Sequence, residues 1–254
     1  MPQARDFNFL DWPGPIAFAH RGGASEVPEN TMPAFEHAIR LGYRYIETDV
    51  HVTTDGVLLA FHDDVLDRVT DGSGTVEELP WSVVQRAKVD GREPIPLFED
   101  LLGAWPDVRI NIDPKHDQAV EPLASVLTKC NAVDRVCIGA FSDERLEHVR
   151  TLLPGVCTSL GPMGTLQLGL AAQGDDIPEL PSPCVQVPTH YLDTEIVTHA
   201  FVEAVHRRDM QVHVWTIDDA NEMSRLLDLG VDGIMTDRPK VLRDVLEQRG
   251  EWTS

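Results

Sequence analysis

Basic side chains are scarce in this chain. Its 254 residues contain 21 Lys and Arg against 42 Asp and Glu, which gives a formal net charge of −21. Nucleic acids and anionic membrane surfaces are bound through basic patches, so the composition argues against partners of both kinds. A solubilising acidic surface accounts for the excess charge. An anionic substrate would have to be attracted locally, by a metal ion and a few basic groups.

Long apolar runs and paired cysteines are also missing. No stretch reaches the ~18 apolar residues that a transmembrane helix needs, so no stable membrane insertion is expected. Residues 1–10 lack the apolar core of a secretory signal, which predicts a cytoplasmic protein unless a signal peptide has been removed. The cysteines show no C-x-x-C spacing, and we interpret them as small buried hydrophobes. They are Cys130, Cys137, Cys157 and Cys184.

What the chain does contain is an alternation of strand-like and helix-like patterns. Helical stretches such as 143–153, 194–208 and 220–229 separate short apolar runs. The predicted strands are Ile16–His20, Tyr45–Val50, Val108–Asp113, Val136–Ala140, Val156–Leu160, Cys184–Val187, Val212–Thr216 and Gly233–Thr236. Such alternation predicts an α/β fold with a parallel sheet. Eight strands in about 250 residues predict closure as a single (β/α)8 TIM barrel over residues 1–254.

Residues 64–96 interrupt this alternation. They are rich in glycine and proline, with one short predicted helix near Trp81–Ala87. The segment leaves after the second strand's hairpin and returns before the third strand. Both points lie at C-terminal strand ends, so we expect this insertion to cover one edge of the barrel mouth and not its base. The stretch 161–183 has no readable pattern, and its role stays open.

Three carboxylates are predicted to project inward at the ends of two strands. Side chains alternate along a strand, so Glu47 and Asp49 share one face. Asp113 ends the third strand, and its side chain is predicted to project inward like those of Glu47 and Asp49. Adjacent buried carboxylates repel each other unless a cation lies between them, and oxygen donors suit Mg²⁺ or Ca²⁺. The alternative is that Asp113 merely caps a turn at the end of its strand.

Two histidines are placed to exchange protons beside these carboxylates. His20 ends the first strand, and His62 returns on a hairpin whose turn is Thr53–Gly56. An imidazole titrates near pH 6.5, so either protonation state is accessible at neutral pH. We therefore predict His20 and His62 as an acid–base pair. Arg21 follows His20 and can present a bidentate fork to phosphate oxygens.

Several linked motifs in this order resemble the glycerophosphodiester phosphodiesterase family, a metal-dependent (β/α)8-barrel family. The motifs are H-R-G, P-E-N-T, E-T-D-V, T-x-D-G and F-H-D within residues 20–63, with V-W-T and a closing T-D-R-P later. The same core is similar to that of the sphingomyelinase D enzymes. Asp113 stands where the family more often has glutamate and where the sphingomyelinase D relatives have aspartate.

The resemblance adds roles for further residues. It matches Lys115 to a lysine near the phosphate, against the simpler interpretation of a solvated surface lysine. It matches Trp215 to a wall of the glycerol site, although a core aromatic fits nearly as well. Asp237 is interpreted as the cap of the last helix. His51 is interpreted as a supporting or exposed side chain, and His116 is left unassigned.

The implied activity is metal-dependent hydrolysis of a glycerophosphodiester to sn-glycerol 3-phosphate and an alcohol. Two alternatives stay open: phospholipase D-like cleavage of lysolipid or sphingolipid head groups, and a binding protein without turnover. The sequence does not decide between Mg²⁺ and Ca²⁺, between water and a cyclic-phosphate route, or which histidine is the acid. Head-group preference and oligomeric state are equally undetermined.

Overall fold

The computed structural model describes residues 2–254 and contains the predicted eight-stranded parallel barrel. Its strands are β1 Ile16–Ala19, β2 Tyr45–Val52, β3 Arg109–Pro114, β4 Val136–Ile138, β5 Cys157–Thr158, β6 Cys184–Val187, β7 Gln211–Val214 and β8 Gly233–Thr236. The helices that follow them in turn are α1 Met32–Arg40, α2 Phe98–Ala104, α3 Val120–Lys129, α4 Asp143–Leu152, α5 Pro162–Ala172, α6 His199–His206, α7 Ala220–Leu229 and α8 Pro239–Arg249. A strand followed by a helix, eight times over, is the TIM-barrel pattern.

The strands form one ring in sequence order. The hydrogen-bonded order runs from β5 back to β1 and then through β8 and β7 to β6. A parallel bridge between Ser159 and Cys184 joins the two ends of this path, and the Leu160 N–H donates to the Cys184 carbonyl at 2.9 Å. The first strand therefore lies beside the last, with Ala19 opposite Thr236.

Alternation along the strands separates an apolar outer core from the barrel interior. Ile46 and Val50 on β2 and Ile110 and Ile112 on β3 are buried in the main core cluster against the helices. Their inward neighbours are polar, and Asn111 accepts a hydrogen bond from Gln186 Nε2 at 2.8 Å inside the ring. The predicted assignment of faces on these two strands is therefore confirmed.

The N-terminal segment closes the base of the barrel. Phe9 packs edge-on against Tyr45, with ring centroids 5.2 Å apart, and the Tyr45 hydroxyl donates to the Phe9 carbonyl at 2.7 Å. Cys137, Cys157 and Cys184 are buried in the same cluster, without a disulfide. These three thiols pack as small hydrophobes, as the sequence predicted.

The hairpin after β2 forms as predicted and leads into the insertion. Its return arm, Leu58–Ala60, pairs antiparallel with β2, and the Phe61 N–H donates to the Asp49 carbonyl at 3.0 Å. Residues 64–96 follow, with a short helix at Trp81–Val84 and a small apolar core. Arg68 of this segment pairs with Glu29 in the loop after β1, which places the insertion at the barrel mouth.

The prediction was incomplete in two segments. Helix α5 fills part of the stretch 161–183 that had no readable pattern. The predicted helix 194–208 begins later, because Thr194–Glu195 pairs with His190–Tyr191 in a two-stranded hairpin and Thr198 caps α6. The Thr198 hydroxyl accepts from the Phe201 N–H at 3.2 Å, and such a cap fixes where a helix starts. Nowhere in residues 2–254 is a helix both long and apolar enough to cross a membrane.

Candidate active site

The end of β1 turns sharply and delivers two polar side chains to the mouth. His20–Gly22 forms a short 3-10 turn in which Arg21 has a φ of 52°. Gly22 and Gly23 follow with φ of 81° and 102°, a region that favours glycine. A Cβ on Gly22 would lie 2.8 Å from Ala34 of α1. The H-R-G-G motif is therefore a steric requirement of this turn, and the turn lets the Arg21 N–H donate to Glu47 Oε2 at 3.1 Å.

The three predicted carboxylates lie at the ends of β2 and β3. Register places Asp49 opposite Asp113, and Glu47 is two residues earlier on the same face of β2. Lys115 bridges the two aspartates: its Nζ is 2.6 Å from Asp49 Oδ1 and 2.7 Å from Asp113 Oδ2. Lys115 is thus a part of the site and not a solvated surface lysine.

The charges of this group are unevenly compensated. Burial, and then the charge of Asp49, raise the pKa of Glu47 to about 7. Burial would also raise the pKa of Asp49, but Lys115 and Arg21 outweigh it and lower that pKa below its usual range. Burial by itself lowers the pKa of Lys115, and the two aspartates reverse this and raise it. The positive charge nearby therefore stabilises Asp49 far more than Glu47.

Each of the two predicted histidines is held by an aspartate. His20 Nδ1 lies 2.6 Å from Asp237 Oδ1, and His62 Nδ1 lies 2.5 Å from Asp63 Oδ1. A carboxylate only accepts, so each Nδ1 carries a hydrogen, and neither aspartate engages an Nε2. The Nε2 of His20 is 3.8 Å from Glu47 Oε2. Burial would lower the pKa of His20, but Glu47 and Asp237 outweigh it and raise that pKa.

An ion-pair network connects Arg21 with the insertion. Arg21 Nη1 donates to Glu29 Oε1 at 3.0 Å, and Arg68 Nη2 donates to the same oxygen at 2.6 Å. Arg68 also binds Asp63, whose pKa its hydrogen bonds lower to about 2. Arg21 Nε is buried without a hydrogen-bond partner, 3.4 Å from Asp49 Oδ2. The Arg21 guanidinium is thus paired with both Glu29 and Asp49, and its Nε makes no hydrogen bond.

A cleft and an aromatic pair lie at the barrel mouth, near the ion-pair network of Arg21, Glu29 and Arg68. The cleft, of about 640 Å³, lies between the loop after β1 and the insertion, and Glu29 and Arg68 line it. Trp215 follows β7, and its ring lies 5.7 Å from the ring of Phe141, which follows β4. Phe141 is 72% exposed, so this pair is an apolar part of the rim.

Sequence reasoning missed the roles of two aspartates. Asp237 does not cap α8, where Glu26 Oε1 accepts from the Lys240 N–H at 3.2 Å, but binds His20. The signal was the closure of the ring: because Ala19 pairs with Thr236, the next residues, His20 and Asp237, meet side by side. Asp63 follows His62 in the F-H-D motif and needed no long-range information. His51, expected to be supporting or exposed, is fully buried.

The chemistry of the carboxylates fits a divalent cation. Their donors are oxygens, and the raised pKa of buried Glu47 indicates a negative charge that the protein alone does not compensate. An ion drawn to Asp49 and Asp113 would share their oxygens with Lys115. In residues 2–254, the groups whose ligand atoms lie within 4.8 Å of one another are Cys137/Cys157/Cys184 and His51/Glu77/His116, and Glu47, Asp49 and Asp113 do not form such a group.

A (β/α)8 barrel whose mouth carries buried carboxylates, aspartate-bound histidines, an arginine and a lysine is typical of a class of phosphodiester-cleaving enzymes. The model of the glycerophosphoryl diester phosphodiesterase family matches residues 20–241. The chain belongs to this family, and it is a phosphoric diester hydrolase. Members of the family generally depend on a divalent metal.

Relatives match over nearly the whole chain. A Mycobacterium tuberculosis protein named "probable glycerophosphodiester phosphodiesterase 2" is 43% identical and covers 96% of this chain and 95% of its own length. A human lysophospholipase D is 28% identical and covers 90% of this chain and 85% of its own. Among solved structures, an Oleispira antarctica phosphodiesterase in complex with the product sn-glycerol-3-phosphate has a TM-score of 0.79 at 20% identity, covering 92% of this chain and 97% of that one.

The Asp237–His20 contact yields a prediction. Asp237→Asn keeps the shape of the side chain but lets an amide N–H face His20 Nδ1. That contact favours the imidazole tautomer with its hydrogen on Nε2 instead of Nδ1. We expect kcat for glycerophosphocholine hydrolysis to fall by ~10²-fold or more, with KM little changed. The matched control is Asp219→Asn, because Asp219 caps α7 and asparagine caps equally well. Equal kcat in the two variants would show that Asp237 does not position His20.

Proposed function

We propose that the protein hydrolyses glycerophosphodiesters to sn-glycerol 3-phosphate and an alcohol, with His20 and His62 as its acid–base pair. The observation that carries the proposal is that both imidazoles are oriented through Nδ1 by aspartates beside a cation-rich carboxylate group. We also propose that residues 1–254 act as one domain, with 64–96 as its insertion.

Phosphodiester cleavage needs one group to accept a proton from the attacking oxygen and one to give a proton to the leaving alkoxide. The free Nε2 atoms of His20 and His62 supply both functions. Asp237 and Asp63 would hold the rings and stabilise the imidazolium that forms. The bond that breaks joins phosphorus to the oxygen of the alcohol.

Positive charge at the mouth binds the phosphate. Arg21 would offer its guanidinium, whose Nε makes no hydrogen bond, and Lys115 would offer an ammonium held between Asp49 and Asp113. Glu47, Asp49 and Asp113 would hold Mg²⁺ or Ca²⁺, which when bound neutralises charge on the phosphate oxygens. Trp215 would border the glycerol end. The attacking oxygen is either water or the substrate's own glycerol hydroxyl, and ³¹P NMR of the reaction would detect a cyclic phosphate in the second case.

Metal dependence is tested with glycerophosphocholine, by release of glycerol 3-phosphate before and after EDTA. We expect activity to be lost with EDTA and restored by Mg²⁺ or Ca²⁺. Glu47→Gln removes one charge from the oxygen set, so it should weaken calorimetric binding of the ion and lower activity by ~10-fold or more. Full metal-dependent activity in Glu47→Gln would exclude this carboxylate as a ligand.

The two histidines are tested together. His20→Ala and His62→Ala should each lower kcat by at least ~10²-fold, the usual effect of losing a positioned acid or base. The double variant should be little worse than either single one, because groups that act as a unit are not additive. Calorimetric affinity for Mg²⁺ or Ca²⁺ should change little. A single variant with normal kcat would make that histidine structural, and loss of the ion in both would make them ligands.

A second candidate substrate is a lysolipid, in which the glycerol still carries an acyl chain. Exposed apolar side chains at the mouth favour it: Phe141 follows β4, Met163 is the second residue of α5, and Tyr191 and Leu192 follow β6. The human relative named lysophospholipase D is consistent with this activity. The same phosphodiester bond would be cleaved, with the acyl chain lying on this rim.

Comparison of two substrates tests the lysolipid activity. If the rim binds the chain, Phe141→Ala should lower kcat/KM for lysophosphatidylcholine by ~10-fold or more, since burial of a phenyl ring is lost. The value for glycerophosphocholine should stay unchanged. Leu152→Ala is the control, because this exposed leucine ends α4 at the opposite side of the barrel. Equal losses on both substrates would assign Phe141 to the shared site, and no hydrolysis of the lysolipid would eliminate this candidate.

A further inference from the structure

A second group of potential metal ligands lies between the barrel mouth and the insertion. His51 is on β2, Glu77 is in the 3-10 turn Val76–Glu78 of the insertion, and His116 follows the end of β3. One nitrogen of each histidine and one oxygen of Glu77 lie within 4.8 Å of one another. None of these three residues has a part in the proposed hydrolysis.

The Nε2 atoms of His51 and His116 already have hydrogen-bond partners. His51 Nε2 lies 3.0 Å from the carbonyl oxygen of His62, and His116 Nε2 lies 3.0 Å from Asp64 Oδ1. Both partners are acceptors, so both Nε2 atoms carry hydrogen, and the neutral rings have bare Nδ1 atoms. Metal-bound histidines are usually oriented in this way, by a carbonyl or carboxylate that binds the nitrogen away from the ion.

Two of the three inner atoms make no hydrogen bond. Nδ1 of His51 and Oε1 of Glu77 are buried and make no hydrogen bond, and the His51 side chain is wholly buried. Nδ1 of His116 is 3.5 Å from Oε1 of Glu77. A second proton on His116 would pair it with Glu77 but would leave Nδ1 of His51 alone. Most buried polar atoms in proteins have a partner. A cation at the centre of this group would supply one for all three atoms.

We propose that His51, Glu77 and His116 bind a zinc-class divalent ion. Two imidazole nitrogens and one carboxylate oxygen are a ligand set that Zn²⁺ accepts, with a fourth position for water. The same set is poorly suited to Mg²⁺ or Ca²⁺, which prefer oxygen. Tetrahedral bonds of ~2.0–2.2 Å require the three side chains to draw closer by small rotations. The ion fastens the insertion to β2 and β3.

The test uses the full-length protein, stripped with EDTA and kept in excess Mg²⁺ so that the oxygen site is filled. We expect one Co²⁺ per chain with the intense visible absorption of a tetrahedral site, displaced by one Zn²⁺ measured by mass spectrometry. Zn²⁺ should also raise the thermal unfolding temperature. Glu77→Gln and His116→Ala should weaken Zn²⁺ binding by ~10²-fold or more and abolish that stabilisation.

Two controls separate this site from its surroundings. Glu78→Gln changes the exposed neighbour of Glu77 and should bind Zn²⁺ as the unmodified protein does. Glu47→Gln alters the carboxylate group and should also leave Zn²⁺ binding intact. The proposal is overturned if the protein takes up no Co²⁺ or Zn²⁺ in excess Mg²⁺, if folded Glu77→Gln and His116→Ala bind as tightly as Glu78→Gln, or if Glu47→Gln abolishes binding.

Discussion

The repulsion between the inward carboxylates of β2 and β3 constrains the rest of this structure. Two parallel strands in register bring Asp49 and Asp113 side by side, and little water reaches them to screen their charges. Such a pair is stable only with positive charge next to it. Lys115 provides that charge from the end of β3, and Arg21 provides more from the end of β1. The tight glycine turn after His20 brings this arginine close to the aspartates.

The negative charge of Glu47 is poorly compensated by the cations of the protein itself. Its carboxylate is buried like that of Asp49, yet the charge of Asp49 opposes its ionisation and no lysine bridges it. A site arranged in this way would favour a divalent cation and a phosphate together, since each would compensate the charge that the other brings. The balance of positive and negative charge among these side chains therefore relates the fold to phosphodiester chemistry, and no single side chain does so alone.

The insertion takes part in this balance through ion pairs and polar contacts. Arg68 binds both Glu29 and Asp63, so one side chain of the insertion holds the Arg21 partner and the His62 partner. On its other side, Glu77 reaches His51 and His116, which continue the same strand ends. The carboxylates of Glu47, Asp49 and Asp113 and the mixed group of His51, Glu77 and His116 thus lie at separate positions near β2 and β3.

The sequence by itself determined what local periodicity and turn chemistry can determine. Alternation fixed which side chains of β2 face inward, and the Thr53–Gly56 turn fixed the return of His62. It did not reveal that Asp237 holds His20, because 217 residues separate them and only closure of the ring makes their strands neighbours. Nor did it reveal the group of His51, Glu77 and His116. The tertiary structure decided these contacts, since distant segments meet through register and packing, which no local pattern encodes.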